Sequence, residues 1–153
     1  MYLYLIRHGI AVDLESIAAA DLDLSAQSEI DRDALRSLTK VGRKKIAQVA
    51  DRLSELDVTF DLIVSSPLIR AHQTAEILME KQLSMQVEIA EELKPQGNLP
   101  AWLTWWQDRT TDRSISTLAL VGHEPNLSHW AELLMFGKVV NRIVLKKGGI
   151  IGL

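Results

Sequence analysis

The sequence contains no cysteine, which excludes a disulfide framework, a catalytic thiolate and cysteine-based zinc sites. It also has no basic excess: the net charge is -3, whereas nucleic-acid binders use positive charge to neutralise phosphates. No apolar run approaches the roughly 18 residues that a membrane span needs, and the amino terminus shows no signal-peptide pattern. We therefore expect a cytoplasmic protein that binds neither nucleic acid nor membrane.

What the sequence does contain is enough material for one core of ordinary size, because 153 residues can bury a core without disulfides or metals. We find no internal repeat and no low-complexity linker. We therefore expect a single domain over residues 1–153.

Short apolar runs predict buried strands of a mostly parallel sheet. The clearest are Tyr2–Ile6, Phe60–Val64 and Thr117–Val121. A weaker strand is expected at Gln86–Ala90. Residues 142–146 and 150–153, with Gly148-Gly149 between them, predict a terminal hairpin or bulged pair.

Helical patterns lie between the strands. The spacing of apolar residues predicts a helix over Lys40–Leu56, with Thr39 as its cap. A second helix is expected to begin at Ser66-Pro67, where serine suits the N-cap and proline the first helical position. A third is expected to begin near Glu124-Pro125. The spacing of Trp102, Trp105 and Trp106 indicates a packed helical stripe rather than a base-stacking platform.

The alternation of strands and helices predicts an α/β fold, in which helices flank both faces of the sheet. Residues 11–37 show no clean period and predict a long loop with one helical turn. Loops of this length in compact domains are often functional.

Unusual polar residues follow three of the predicted strands. The first strand ends in Arg7-His8-Gly9, the second precedes Arg70, and the third ends before His123. Because ligands bind beyond the carboxyl ends of strands in open α/β sheets, these side chains are expected to share one site. Two arginines, two histidines and nearby helix N-termini suit a phosphoryl dianion.

Each of these residues also has a purely structural interpretation. Arg7 and His8 could cap backbone groups at a strand end, Arg70 could lie on a helix surface, and His123 could be a satisfied core residue. Metal binding by the two histidines is disfavoured because arginines repel cations and no closely spaced histidine pair occurs. The agreement of three separate segments favours the phosphate site.

The same segments resemble a known family. Arg7-His8-Gly9, the Ser-Ser-Pro-Leu-Ile-Arg-Ala segment at 65–71 and Gly-His-Glu-Pro at 122–125 are similar to motifs of the histidine phosphatase superfamily, also called phosphoglycerate-mutase-like. The short length and the segment around Arg36 resemble its SixA-type phosphohistidine phosphatases. The resemblance implies a three-layer sandwich with a mostly parallel central sheet flanked by helices.

The resemblance also implies roles for particular residues. His8 matches the nucleophile that becomes transiently phosphorylated, Arg7 and Arg70 match phosphate-binding arginines, and His123 matches the second histidine of the pocket. Attack requires a free lone pair on His8, so we expect a neutral ring whose Nδ1 is hydrogen bonded to a backbone carbonyl. The proton donor stays open between Asp33, which is favoured as a catalytic residue, and Glu124.

The expected activity is that of a phosphohistidine phosphatase without metal or other cofactor. Its substrate would be a phosphohistidine on a signalling or phosphotransfer protein, with phosphate as the product. Transfer between two imidazoles needs less acid assistance than cleavage of an ester. The alternatives are a phosphatase of a small phosphate ester and a phosphate-binding module without catalysis.

Overall fold

The computed structural model describes residues 1–20, 29–110 and 114–153. Within these residues, the strands are Tyr2–Arg7 (β1), Leu62–Ser65 (β2), Val87–Ile89 (β3), Thr117–Gly122 (β4) and Ile150–Gly152 (β5). The helices are Leu14–Ala20 (α1), Glu29–Ala34 (α2), Lys40–Glu55 (α3), Ile69–Glu80 (α4), Leu99–Thr110 (α5) and Asn126–Phe136 (α6), with a 3-10 turn at Glu91–Leu93.

The strands form one five-stranded sheet in the order β3-β2-β4-β1-β5. The first four are parallel, and β5 runs antiparallel to β1 at one edge. In register, Arg7 lies opposite Gly122, and Ser65 lies opposite Val121. The carboxyl ends of β1, β4 and β2 therefore lie side by side, and the residues that follow them emerge at a common edge.

Two apolar cores lie on opposite faces of the sheet. One face packs against α3 and α4, through residues such as Ile46, Ala50 and Leu78. The other packs against α5 and α6, through Trp102 and Trp130 among others. These two cores confirm the predicted three-layer α/β sandwich.

The structure confirms the helix predicted over Lys40–Leu56 and the helical stripe predicted for Trp102, Trp105 and Trp106. Thr39 caps α3, because its Oγ1 accepts a hydrogen bond from the Gly42 N–H at 2.9 Å. Trp102 is buried and stacks on Trp106 with ring centroids 5.8 Å apart. The tryptophan run is thus a packed stripe, as its spacing indicates.

The predicted start of the second helix at Ser66-Pro67 is wrong. Helix α4 begins at Ile69, and Leu68 is its extended N-cap residue without a side-chain cap. The Ser66 hydroxyl accepts a long hydrogen bond from the Leu68 N–H at 3.4 Å and lies 2.8 Å from Nε2 of the His123 ring. Ser66 therefore lies between β2 and α4 and contacts His123, and the helix begins three residues after it.

The predicted terminal hairpin is also wrong. Only Ile150–Gly152 forms a strand, and it pairs with β1 rather than with residues 142–146. The backbone N–H groups of Arg142 and Ile143 donate to the Glu132 carboxylate, and that of Leu145 donates to Glu124. Because Glu132 of α6 and Glu124, just before that helix, take these donors, no ladder forms there.

The long loop expected at residues 11–37 contains more structure than one helical turn. Helices α1 and α2 both lie in it, and Ala11 forms an isolated antiparallel bridge with Leu38. Residues 21–28 lie outside the described residues. None of the helices in the described parts of the chain has the length and apolar character that crossing a membrane requires.

Candidate active site

The common carboxyl edge of β1, β2 and β4 opens into a cleft of about 390 Å³. All four residues predicted to meet there line it: Arg7, His8, Arg70 and His123. The wall also includes Asp33, Arg36, Pro95, Glu124 and Lys147. The structure therefore brings the three sequence segments to one place.

The His8 ring is held by two hydrogen bonds that define its tautomer. Its Nδ1 lies 2.7 Å from the Gly9 carbonyl oxygen, which can only accept. The Arg70 Nε–H donates to His8 Nε2 across 3.2 Å, and a guanidinium N–H can only donate. The proton of the neutral ring is therefore on Nδ1 and the lone pair on Nε2, which confirms the predicted backbone bond at Nδ1.

Burial lowers the pKa of His8 to about 3, because desolvation penalises the imidazolium. The positive charges of Arg70, Arg7 and Lys147 lower this pKa further, while the bond to the Gly9 carbonyl acts in the opposite direction. His8 is consequently neutral at pH 7, and its Nε2 lone pair accepts the hydrogen bond from Arg70 Nε–H.

Gly9 fixes the backbone that carries this ring. Its N–H donates to Thr74 Oγ1 at 3.1 Å, and that hydroxyl donates to the Arg70 carbonyl at 2.7 Å. A Cβ at position 9 would lie 2.8 Å from Ile46 Cγ1. Glycine thus permits α3 and α4 to close around the loop that follows β1.

Arg70 lies in the first turn of α4 and is buried at 4% exposure. Its Nη1 donates to the Asp33 backbone carbonyl at 2.6 Å, and its Nη2 donates to Asp33 Oδ2 at 2.9 Å. With Nε on His8, the guanidinium is fixed at three positions. Such a fork is suited to phosphoryl oxygens.

Asp33 binds two arginines. Partial burial by itself would raise the pKa of its carboxyl, but hydrogen bonds from Arg36 and Arg70 outweigh this and lower it. Arg36 Nη1 lies 3.0 Å from Asp33 Oδ1, while its Nε donates to the Val12 carbonyl. Asp33 is therefore ionised in this state and orients Arg70; its role as a proton donor stays a prediction.

Arg7 approaches the cleft from the end of β1. Its Nη1 donates to the Leu145 carbonyl at 2.7 Å. Its Nε is buried and has no hydrogen-bond partner among the described residues. A buried cationic donor without a partner indicates affinity for an anion at this position.

His123 faces His8 with ring centroids 5.1 Å apart. Burial lowers the pKa of His123 to about 2, and the neighbouring His8, Arg70 and Arg7 add to the shift. Its Nε2 lies 2.8 Å from Ser66 Oγ, whereas its Nδ1 is buried without a partner in the described part of the chain. His123 is thus a neutral ring with one polar atom available to a ligand.

Glu124, the other candidate proton donor, accepts hydrogen bonds from one backbone N–H and one side-chain hydroxyl. Its Oε1 accepts from the Leu145 N–H at 2.6 Å and from Ser128 Oγ at 2.5 Å. Leu145 is thereby held at its N–H by Glu124 and at its carbonyl by Arg7. Glu124 acts as a support for Arg7.

Sequence reasoning missed Arg36 and Lys147 as residues of the cleft, and Ser66 as the hydrogen-bond partner of His123 behind it. For Ser66, the available signal was its place directly after a buried strand, which we assigned to helix capping. Lys147 carried no signal, because its approach depends on how residues 137–149 fold over α6. Among the described residues, no group of histidine and acidic side chains could hold a metal ion.

The fold and the cleft define an α/β protein whose anion site lies at the carboxyl edge of its parallel strands. A family model described as the histidine phosphatase superfamily (branch 1) matches residues 3–96, which include Arg7, His8, Asp33 and Arg70. The chain belongs to this superfamily, whose members are phosphatases.

Similar proteins extend the comparison over the whole chain. An uncharacterized protein of Picosynechococcus sp. is 40% identical over 153 residues, which is all of this chain and 84% of that protein. The protein histidine phosphatase SixA, solved with tungstate, has a TM-score of 0.77 at 24% identity, covering 99% of this chain and 86% of that one. The α-ribazole phosphatase of Shigella flexneri gives a TM-score of 0.66 at 22% identity, covering 99% and 89%. These two structures share the fold.

Proposed function

We propose that this protein is a phosphohistidine phosphatase that removes the phosphoryl group from a histidine of a signalling or phosphotransfer protein. The observation that carries the proposal is the tautomer of His8. Its Nε2 presents a lone pair in an electropositive cleft while its Nδ1 proton is held by Gly9. His8 would be the nucleophile, Arg7 and Arg70 would bind phosphoryl oxygens, and His123 would line the opposite side.

In the proposed phosphoryl transfer, all bonds, charges and protons are accounted for without a proton donor from the protein. The Nε2 lone pair of His8 forms a bond to phosphorus, and the P–N bond of the substrate breaks with its electron pair returning to the substrate imidazole. If the substrate ring carries a proton on its other nitrogen, it departs as neutral imidazole. The phosphorylated His8 ring keeps its Nδ1 proton, and the Gly9 carbonyl stabilises the positive charge on that ring.

Water would complete the reaction. It attacks the phosphorus of phospho-His8, the P–N bond breaks, and the electron pair returns to Nε2. The proton that water loses is taken up by the phosphate product. His8 is then restored as the Nδ1–H tautomer.

The two carboxylates of the cleft support a phosphohistidine over an ester. Asp33 is ionised between two arginines, and Glu124 accepts two hydrogen bonds. An alkoxide leaving group needs a proton donor, whereas a protonated phosphohistidine does not. An open cleft of about 390 Å³ is also compatible with approach by a protein surface.

A small phosphate ester is the second candidate substrate. It is favoured by the fold similarity to α-ribazole phosphatase, whose name states activity on a small molecule. Such a substrate would need Asp33 to be protonated on binding, after its contact with Arg70 is broken.

The test compares a phosphohistidine-bearing phosphotransfer domain with a phosphoserine peptide and p-nitrophenyl phosphate at equal enzyme concentration. We expect kcat/KM to be highest for the phosphohistidine domain, and we expect an acid-labile phosphoprotein to accumulate on rapid quenching and to be missing in His8→Asn. Preference for the esters would favour the second candidate. Binding of phosphate without any turnover would favour a binding module instead.

A further inference from the structure

A second basic group reaches the cleft from the carboxyl-terminal part of the chain. Lys147 lies in a turn in which the Gly149 N–H donates to the Lys146 carbonyl at 2.7 Å. The Gly148 N–H lies 3.1 Å from both the Arg7 and the His8 carbonyl oxygens. Because the turn is bonded to the loop that carries the nucleophile, Lys147 is held at the mouth of the cleft.

The turn is anchored on its other side as well. Glu132 is fully buried in α6, and its carboxylate accepts the N–H groups of residues 140–143 at 2.6–2.8 Å. Glu124 accepts the N–H of Leu145. The segment 137–149 therefore has a defined path, although it contains no helix or strand.

The cations of the cleft differ in whether they are already paired. Arg36 and Arg70 are bonded to Asp33, and Arg7 is bonded to the Leu145 carbonyl. Lys147 is exposed and forms no salt bridge with the residues that the structure describes. Lys147 therefore combines exposure with the absence of a carboxylate partner among the described residues, whereas the free donor of Arg7, its Nε, is buried.

We propose that Lys147 determines substrate specificity by binding a carboxylate next to the phosphoryl group, such as an acidic side chain beside the phosphorylated residue. This inference rests on the proposed phosphatase function. The buried donors of Arg7, Arg70 and His123 are suited to the phosphoryl group itself. Lys147 is an exposed point charge on a flexible stem, and it reaches the part of the substrate that projects from the cleft.

A pair of small ligands tests this without requiring turnover. Phosphoglycolate and ethyl phosphate both carry a phosphoryl group on a two-carbon alcohol, but only the first has a carboxylate. For the wild-type protein we expect phosphoglycolate to bind about fivefold more tightly, within the range of an exposed ion pair. We expect Lys147→Met to weaken the binding of phosphoglycolate more than that of ethyl phosphate, so that the preference is lost.

Lys146→Met is the matched control, because it removes the same charge one residue away, where the side chain does not line the cleft. Lys146→Met should still bind phosphoglycolate more tightly than ethyl phosphate. This result would show that the preference comes from a contact at Lys147 and not from the net charge of the segment. Equal weakening of both ligands by Lys147→Met would overturn the proposal, since Lys147 would then act on the phosphoryl group. Failure of either ligand to bind, or a preference that survives Lys147→Met, would overturn it too.

The same variants can then be assayed with phosphohistidine peptides that carry either glutamate or glutamine beside the phosphorylated residue. We expect Lys147→Met to lower kcat/KM about fivefold for the glutamate peptide alone. If neither peptide is turned over, the proposed function fails, but the binding comparison still decides the role of Lys147.

Discussion

Arg70 Nε donates a hydrogen bond to His8 Nε2 across 3.2 Å, so that the arginine occupies the lone pair that the proposed attack on phosphorus requires. In this structure His8 Nε2 and Arg70 Nε–H satisfy each other, and Asp33 holds the far edge of the same guanidinium. A bound phosphoryl group must take over the Arg70 donor through one of its oxygens. In the proposed mechanism, substrate binding and release of the His8 lone pair are therefore coupled through one side chain.

The geometry of Arg70 predicts that activity depends on the planar guanidinium group as well as on its positive charge. Arg70→Lys keeps a positive charge but loses the three-position contact, so we expect kcat/KM to fall about 100-fold and phosphate inhibition to weaken. Steady-state kinetics with phosphate as a competitor would measure both. Arg52→Lys, at an exposed salt bridge with Glu55, should change neither. Wild-type kinetics in Arg70→Lys would contradict this role.

Asp33 is predicted to act through Arg70. Asp33→Asn keeps the backbone carbonyl that binds Nη1 but removes the charged contact, and a charge-assisted hydrogen bond of this kind corresponds to about tenfold in kcat/KM. We expect an equal loss for phosphohistidine and ester substrates. A loss confined to esters, increasing with the pKa of the leaving group, would show that Asp33 is the acid. Asp51→Asn, which alters an exposed ion pair with Lys81, is the control.

The two buried histidines predict a loss of stability in acid. Burial lowers the pKa values of His8 and His123 to about 3 and about 2, with Arg7, Arg70 and Lys147 adding to the shift for His8. Below about pH 6.5 the two histidines are protonated in the unfolded chain but stay neutral in the folded chain. The free energy of unfolding therefore falls as the pH decreases towards 3. Between these pH values, each histidine lowers the free energy of unfolding by about 1.4 kcal/mol for every pH unit of acidification.

Urea unfolding at pH 7 and pH 5 measures this loss. The double variant His8→Asn, His123→Asn should lose less stability between the two pH values than the wild type. His72→Asn, at a half-exposed helix position, should behave as the wild type. A double variant with the wild-type pH dependence would show that these histidines do not stay neutral in the folded state.

Glu132 is predicted to hold the segment 137–149 in place. Burial by itself would raise the pKa of its carboxyl, but four backbone N–H groups outweigh this and lower it to about 2. The ionised form therefore stabilises the fold above the ordinary carboxyl pKa, and the contribution is lost as the pH falls towards 2. Glu132→Gln should lower the urea midpoint at pH 7, and the difference should shrink below about pH 4.5.

The effect should also reach the cleft, because the segment carries Leu145 and Lys147. We expect Glu132→Gln to weaken phosphate binding, through loss of the Leu145 carbonyl that orients Arg7. Glu55→Gln, on the exposed face of α3, should leave both stability and binding unchanged. An unchanged urea midpoint in Glu132→Gln would rule out the anchoring role.

Local pattern was sufficient for the parts of this protein in which each segment acts by itself. Apolar runs identify β1, β2 and β4 because strands buried on both faces contain few polar residues. The spacing of Ile46, Ala50 and Leu53 identifies α3 because a helix that buries one face repeats about every 3.6 residues. Since parallel strands share a carboxyl edge, the convergence of His8, Arg70 and His123 followed from the same reasoning.

The start of α4 and the course of residues 142–149 were decided by contacts between distant segments. Ser66 has the sequence context of a helix cap, but His123, 57 positions later, lies within hydrogen-bond distance of its hydroxyl. Residues 142–146 have the pattern of a strand, but the carboxylates of Glu124 and Glu132 take the N–H groups that a ladder would need.

The sequence by itself determined the fold class and the principal residues of the site, because the alternation of strands and helices and the periodicity of each helix are visible in local patterns. Only the tertiary structure decided the tautomer of His8, the ionised state of Asp33 and the approach of Lys147. Each of these depends on which donor or acceptor lies about 3 Å away, and hydrogen bonds at that range join residues far apart in the chain.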